Sequence, residues 1–202
     1  MNGLLAFSRL VDRVNEWIGK QVGWLIFVAI LVSALNAIVR KVFNYSSNGY
    51  LELQWYLYGA AFMLAASWVI KTNDHVRIDL IYGRLSRNAR NWIELLGHIF
   101  FLMPFVLVMI YFLWPYVIRS YNSGEMSANA GGLILWPAKL MLLIGFLQMF
   151  FQGLSEIIKR VGVMTGTYID PNPYVTARDL AEQEAQQLAA EILKAQQAEQ
   201  AK

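Results

Sequence analysis

Four long stretches of the chain carry no formal charge: residues 22–39, 53–70, 95–118 and, interrupted only by Lys139, 131–155. A helix needs about 20 mostly apolar residues to cross about 30 Å of hydrocarbon, with about 17–25 as the working range. Inside lipid each crossing segment must satisfy its own backbone, which leaves helices or a closed barrel. Barrel strands would read as segments of about 10 residues in strict alternation, and the chain shows none. The pattern predicts an all-α integral membrane protein with four transmembrane helices, over about 22–41, 51–71, 92–118 and 132–158. Tryptophan marks the same borders. Trp24, Trp55, Trp92 and Trp136 stand near the starts of the spans, and Trp68 and Trp114 near the ends of the second and third. Indole prefers the headgroup level, where its ring is apolar-solvated and its N–H is wet.

The flanks have different patterns. In residues 1–20, Leu4, Phe7, Val11, Val14 and Ile18 follow a 3-4-3-4 spacing, with Arg9, Asp12, Arg13, Glu16 and Lys20 filling the rest. This predicts an amphipathic helix in the membrane interface; the alternative is an early, tilted start to the first span. It lacks the short apolar core and small-residue site of a cleavable signal peptide. Pro104 and Pro115 fall inside the third span, where each predicts a kink. Residues 21–162 thus form the four-helix domain and 163–202 a tail. In that tail Pro171 and Pro173 break the chain, and Thr176-x-x-Asp179 resembles a capping box before an Ala/Glu/Gln-rich helical or disordered segment.

Composition and charge add an orientation. The 202 residues are 57% hydrophobic and 15% charged, where a soluble domain carries about 25% charged. Mean hydropathy is +0.39, so the apolar excess needs the bilayer as a second solvent. The net charge of +3 sums a tail of −3, from Asp170 onward, and a body of +6. Near the helix ends, Arg9, Arg13, Lys20, Lys71, Arg77, Arg84, Arg87, Arg90, Lys159 and Arg160 fall on one side of the predicted membrane. Arg40, Lys41, Arg119 and Lys139 fall on the other. The bias puts both termini and the 71–91 connection in the cytoplasm. Contact with anionic phospholipid headgroups is expected, and nucleic acid is not.

The candidate chemistry is sparse. The chain has no cysteine and only two histidines, His75 and His98, which excludes thiolate sites, disulfides and a His-rich metal cluster. It shows no phosphate loop, no HExxH, no Ser-His-Asp set and no inverted repeat. No enzyme activity, cofactor or metal site is expected in this chain. Ionisable residues stand near span ends, where long side chains reach headgroups. His98 is the exception. It is either a proton relay or, the heavier reading, a hydrogen-bonding partner for a neighbouring helix. Asn36 and Gln148 read likewise as interhelical hydrogen-bonding groups.

The polar motifs come in an ordered set. Arg40 closes the first span, Glu52 opens the second, and Gly59-Ala60-Ala61 follows one to two turns on. The run Asp74-His75-Val76-Arg77-Ile78-Asp79-Leu80 follows the second span, and Trp136-Pro137-x-Lys139 with Ile144-Gly145-Phe146 opens the fourth. Over roughly residues 20–160 the chain resembles the small membrane subunit, DctQ-like, of tripartite ATP-independent periplasmic (TRAP) transporters. The resemblance implies a non-catalytic small permease subunit in the bacterial inner membrane. Its partners would be a large multi-span subunit, which carries the substrate and sodium sites and moves as an elevator, and a periplasmic binding protein that captures small organic acids. Within that frame Arg40 and Glu52 are expected to pair across spans one and two. His75, Arg77 and Asp79 are expected to meet lipid or the large subunit, and Arg119 and Glu125 to touch the binding protein. The alternative is an autonomous small oligomeric transporter or channel with His98 and Glu94 lining the path.

Overall fold

The computed structural model describes residues 2–45, 47–73 and 85–169, together with 180–181, 184–186, 188–189 and 192 in the tail. The expected inner-loop residues His75, Arg77 and Asp79, and most of the tail, lie outside them. The described helices are α1 (Asn2–Phe43), α2 (Asn48–Thr72), α3 (Arg87–Gly97), α4 (Met103–Ser123) and α5 (Trp136–Met164). A π-turn, His98–Leu102, joins α3 to α4, so the third crossing is one helical run. Four helical runs are long and apolar enough to cross a membrane.

Local sequence explains the helix ends. Asn44, Asn73 and Gly124 follow α1, α2 and α4 with φ of 49°, 62° and 60°, the left-handed conformation that Gly and Asn tolerate best. The Ser86 hydroxyl caps α3 by accepting the Ala89 N–H at 3.3 Å. The expected breaks at proline resolve differently. Pro104 has no N–H to bond four residues back, and the wide turn at 98–102 lies immediately before it. Pro115, by contrast, sits inside an unbroken α4. The fourth span starts at Trp136 rather than 132, because residues 132–135 are tied into the preceding loop and Pro137 suits a first helical turn.

Residues 2–20 and the first span are one continuous helix of 42 residues, with no break at 20/21. The face that docks on the bundle is polar: Ser8 and Asn15 are buried, followed by Gly19. Leu4, Phe7 and Val14 of the expected apolar stripe are exposed instead.

Helix α5 is central and touches α1, α2, α3 and α4, while α1 packs along α2. Close crossings occur at glycine. A Cβ on Gly145 would stand 2.7 Å from Met63 Cβ, and one on Gly19 would stand 2.6 Å from the Trp68 ring. Leu113, Val117 and Leu143 form an apolar cluster between α4 and α5. Elsewhere the interior mixes small and apolar residues such as Ala29, Ala61 and Val106 with polar ones: Ser67, Gln152 and Ser155 are 0% exposed, whereas Phe101 is 78% and Phe62 76% exposed. That inversion suits a surrounding medium of lipid tails.

Candidate functional site

The described polar side chains gather into two lattices, one at each end of the bundle. At the end holding the α1–α2 and α4–α5 connections, Glu52 enters the lattice from the second turn of α2. Its carboxylate accepts the Leu133 N–H at 2.6 Å, Asn129 Nδ2–H at 2.8 Å, and the Ser127 hydroxyl in a short hydrogen bond. These donors belong to the 124–135 loop, which turns at Gly131 (φ 70°). The loop pairs on itself through Ser127 N–H to Leu133 O and Leu135 N–H to Glu125 O, each 2.9 Å. Gly132 is required beneath it, since a Cβ there would lie 2.6 Å from Ser127 Cβ and 2.9 Å from the Glu52 carboxylate. Asn48 donates to Ala130 O at 3.0 Å and the Tyr56 hydroxyl to Ile134 O at 3.2 Å, which completes the clamp.

The expected partnership of Glu52 with Arg40 is not formed. Among the described residues the hydrogen-bond donors to Glu52 all come from the loop, and Arg40 stands exposed on the last turn of α1. The loop follows α4 and lies over the start of α2, so it reaches the carboxylate first. Glu125 is likewise engaged at home. It bonds the Lys139 ammonium in a short ion pair and accepts the Ser120 hydroxyl at 2.9 Å. Lys139 then the Ser120 hydroxyl hold the Glu125 carboxyl below its ordinary 4.5. Lys139 Nζ also stands 3.9 Å from the Tyr116 ring centroid. Arg119 is exposed, with Nε 3.4 Å from Pro115 O in its own helix. The structure therefore places Arg119 and Glu125 in the same region, with the first free to face outward and the second bound into the loop's foot.

The opposite lattice ties α1 to α5. The Ser8 and Ser155 hydroxyls are 2.6 Å apart, and Asn15 Nδ2–H donates to Gln152 Oε1 at 2.7 Å. Gln152 Nε2–H donates in turn to Asp12 at 2.9 Å and to Glu156 at 2.7 Å. Lys159 bridges Asp12 at 3.1 Å and Glu156 at 2.5 Å. Glu16 holds Lys71 of α2 at 2.6 Å and Lys20 at 2.7 Å. Arg160 pairs with Glu94 and donates to Asn91 at 3.2 Å, fastening α3. His98 stays within its own helix, its Nδ1 2.7 Å from Glu94 O.

Of this second lattice, the sequence pattern singled out only helix-end charges. Asn15, Gln152 and Ser155 were missed, and Asp12 was placed only on the polar side of the N-terminal helix. Their signal is a polar stripe at 8, 12 and 15 in α1, facing one at 152, 155, 156 and 159 in α5. Among the described residues Gln148, one turn earlier on α5, has no hydrogen-bond partner, and neither does the Asn36 side-chain oxygen.

Chemically both lattices are clamps. Each pairs carboxylates with ammonium, guanidinium or amide donors between helices, and among the described residues no group of His, Asp and Glu could hold a metal ion. Comparison with curated proteins finds no match. The family model for tripartite ATP-independent periplasmic transporters, DctQ component, matches residues 29–162, the four-helix body less the first two-thirds of α1. Four apolar crossings clamped at both ends and a family match over most of the chain agree: the protein belongs to the DctQ family, the small membrane component of TRAP transporters, and is a transporter component rather than an enzyme.

Proposed function

We propose that the chain is a non-catalytic scaffold within a sodium-coupled importer of small organic acids, the carboxylates. One observation carries this reading: each crossing is free of formal charge between its two ends, from Lys20 to Arg40, Glu52 to Lys71, Glu94 to Arg119 and Lys139 to Glu156. Ion-coupled transporters place ionisable or unwound polar groups near the bilayer midplane. Here the charges are spent on fastening helices at the ends. Sodium and substrate then bind the large elevator subunit, and this chain widens the static body against which that subunit moves. The 124–135 loop, held by Glu52, offers a rigid surface to the periplasmic binding protein, with Arg119 at its edge. Both termini face the cytoplasm, following the bias of Lys and Arg.

Co-purification in mild detergent and uptake measured with and without this chain test the reading. A stable complex with a large multi-span protein, and sodium-driven uptake that collapses when the chain is deleted, are the expected results. Full-rate uptake by the large subunit alone would overturn it, as would solute flux through vesicles containing only this chain.

A further inference from the structure

Helix α1 carries a second face, about 130° round the helix from the one that docks on α5. Arg9, Arg13, Trp17, Trp24, Phe27 and Leu31 recur at spacings of 4, 4, 7, 3 and 4. At 3.6 residues per turn they fall within an arc of about 80°. All six are exposed; Trp17 is 64% and Trp24 65% accessible. Among the described residues neither Arg9 nor Arg13 has an acidic partner: Asp12 is taken by Lys159, and Glu16 by Lys20 and Lys71. Lys71 closes the charge-free run of α2 and Lys20 opens that of α1, both paired with Glu16, so residues 16–20 of α1 mark the edge of the hydrocarbon. Trp17 sits at that edge. Arg13 and Arg9 lie one and two turns beyond it, at headgroup level, while Trp24, Phe27 and Leu31 extend about 10–21 Å into the acyl region.

We infer that this face is a binding site for an anionic phospholipid of the leaflet on the N-terminal side. The charge order argues for that occupant. Two free guanidiniums match a phosphate and a second headgroup anion, and the apolar stripe above them matches the attached chains, so one molecule satisfies both halves of the face. A protein partner would have to present an acidic patch outside the membrane in register with an apolar surface inside it. The cationic end also lies ahead of residues 29–162, outside the family match.

The test is native mass spectrometry of the full chain in detergent, titrated with palmitoyl-oleoyl phosphatidylglycerol or phosphatidylcholine. The unmodified protein should retain phosphatidylglycerol in preference to phosphatidylcholine. Arg9→Gln/Arg13→Gln should weaken phosphatidylglycerol binding by about 30-fold, given the usual contribution of a basic residue at a membrane surface. Arg9→Lys/Arg13→Lys should stay within a few-fold of the parent, and Arg40→Gln/Lys41→Gln, at the far end of α1, should change nothing. Equal retention of both lipids overturns the proposal, as does undiminished phosphatidylglycerol binding by Arg9→Gln/Arg13→Gln. An equal loss in the Arg40→Gln/Lys41→Gln control does the same. If Arg9→Gln/Arg13→Gln instead releases the large subunit and leaves phosphatidylglycerol affinity intact, the face is a protein contact and the lipid assignment fails.

Discussion

Glu52 shows how a single carboxylate organises a loop. It is 3% exposed and receives a backbone N–H, an amide and a hydroxyl from residues about 80 positions away. Removing the acceptor strands three donors, which is costlier than losing one ordinary hydrogen bond. Glu52→Ala should lower the unfolding temperature in detergent by roughly 5 °C and expose 126–134 to protease, while Arg40→Ala leaves both properties unchanged. Equal effects would restore the Arg40 pairing. Glu125 makes a pH-dependent contribution of defined sign. Its carboxyl is held below its ordinary 4.5 by Lys139 and Ser120, so folding favours the ionised form. The resulting stability is complete above the ordinary carboxylate range, declines as pH falls through it, and is gone beneath the depressed value. The gap in unfolding temperature between parent and Glu125→Gln should therefore be widest at neutral pH and narrow below about pH 4.5; a constant gap refutes this account. The sequence singled out both carboxylates, Glu52 as a partner for Arg40 and Glu125 as a contact for the binding protein. Their actual partners were not legible, because a loop's hydrogen bonds depend on backbone turns at Gly124 and Gly131 that no periodicity encodes.

At the scale of helices, hydropathy located all four crossings, since lipid imposes a length and an apolar composition that can be counted. It did not locate the contacts between them. Against lipid tails an interior need not be more apolar than the surface, so the buried face of α1 is Ser8, Asn15 and Gly19 rather than Leu4, Phe7 and Val14. Small residues show the same limit. Gly59-Ala60-Ala61 was the obvious packing motif, and Ala60 and Ala61 are indeed buried, yet Gly59 is exposed with nothing within 4 Å of its added Cβ. The close approaches fall at Gly19, which no local motif distinguished, and at Gly145, whose Ile144-Gly145-Phe146 run did not mark it as a helix crossing. Gly145→Val should push α2 from α5 and destabilise by about 2 kcal/mol, the scale of overpacking a filled contact. Gly59→Val meets open space and should be near neutral. Thermal unfolding of the two variants side by side decides between them, and equal losses would mean that backbone propensity, not contact with Met63, governs both sites.

For the whole molecule, four crossings place the first and last helix ends on one side. The geometry agrees: Ser8 meets Ser155 near the termini, and Asn48 meets Ala130 at the connections. What helix packing leaves open is which side is which, because both ends carry clamps of similar chemistry. Charge number breaks that symmetry, ten basic residues near helix ends on the terminal side against four on the other. The absence of native cysteine makes the orientation directly readable. Single cysteines at Tyr45 and Ala128, both exposed at the connection end, and at Leu10 and Ile169, exposed at the terminal end, give four reporters. In intact spheroplasts a membrane-impermeant maleimide should label Tyr45→Cys and Ala128→Cys at once, and Leu10→Cys and Ile169→Cys only after permeabilisation. This arrangement would put the Glu52-braced loop where a periplasmic binding protein can reach it and the Arg9–Arg13 face on the cytoplasmic leaflet. The reverse labelling would move the loop to the cytoplasm and remove the basis for its docking role, while leaving the two clamps and the four crossings as they stand.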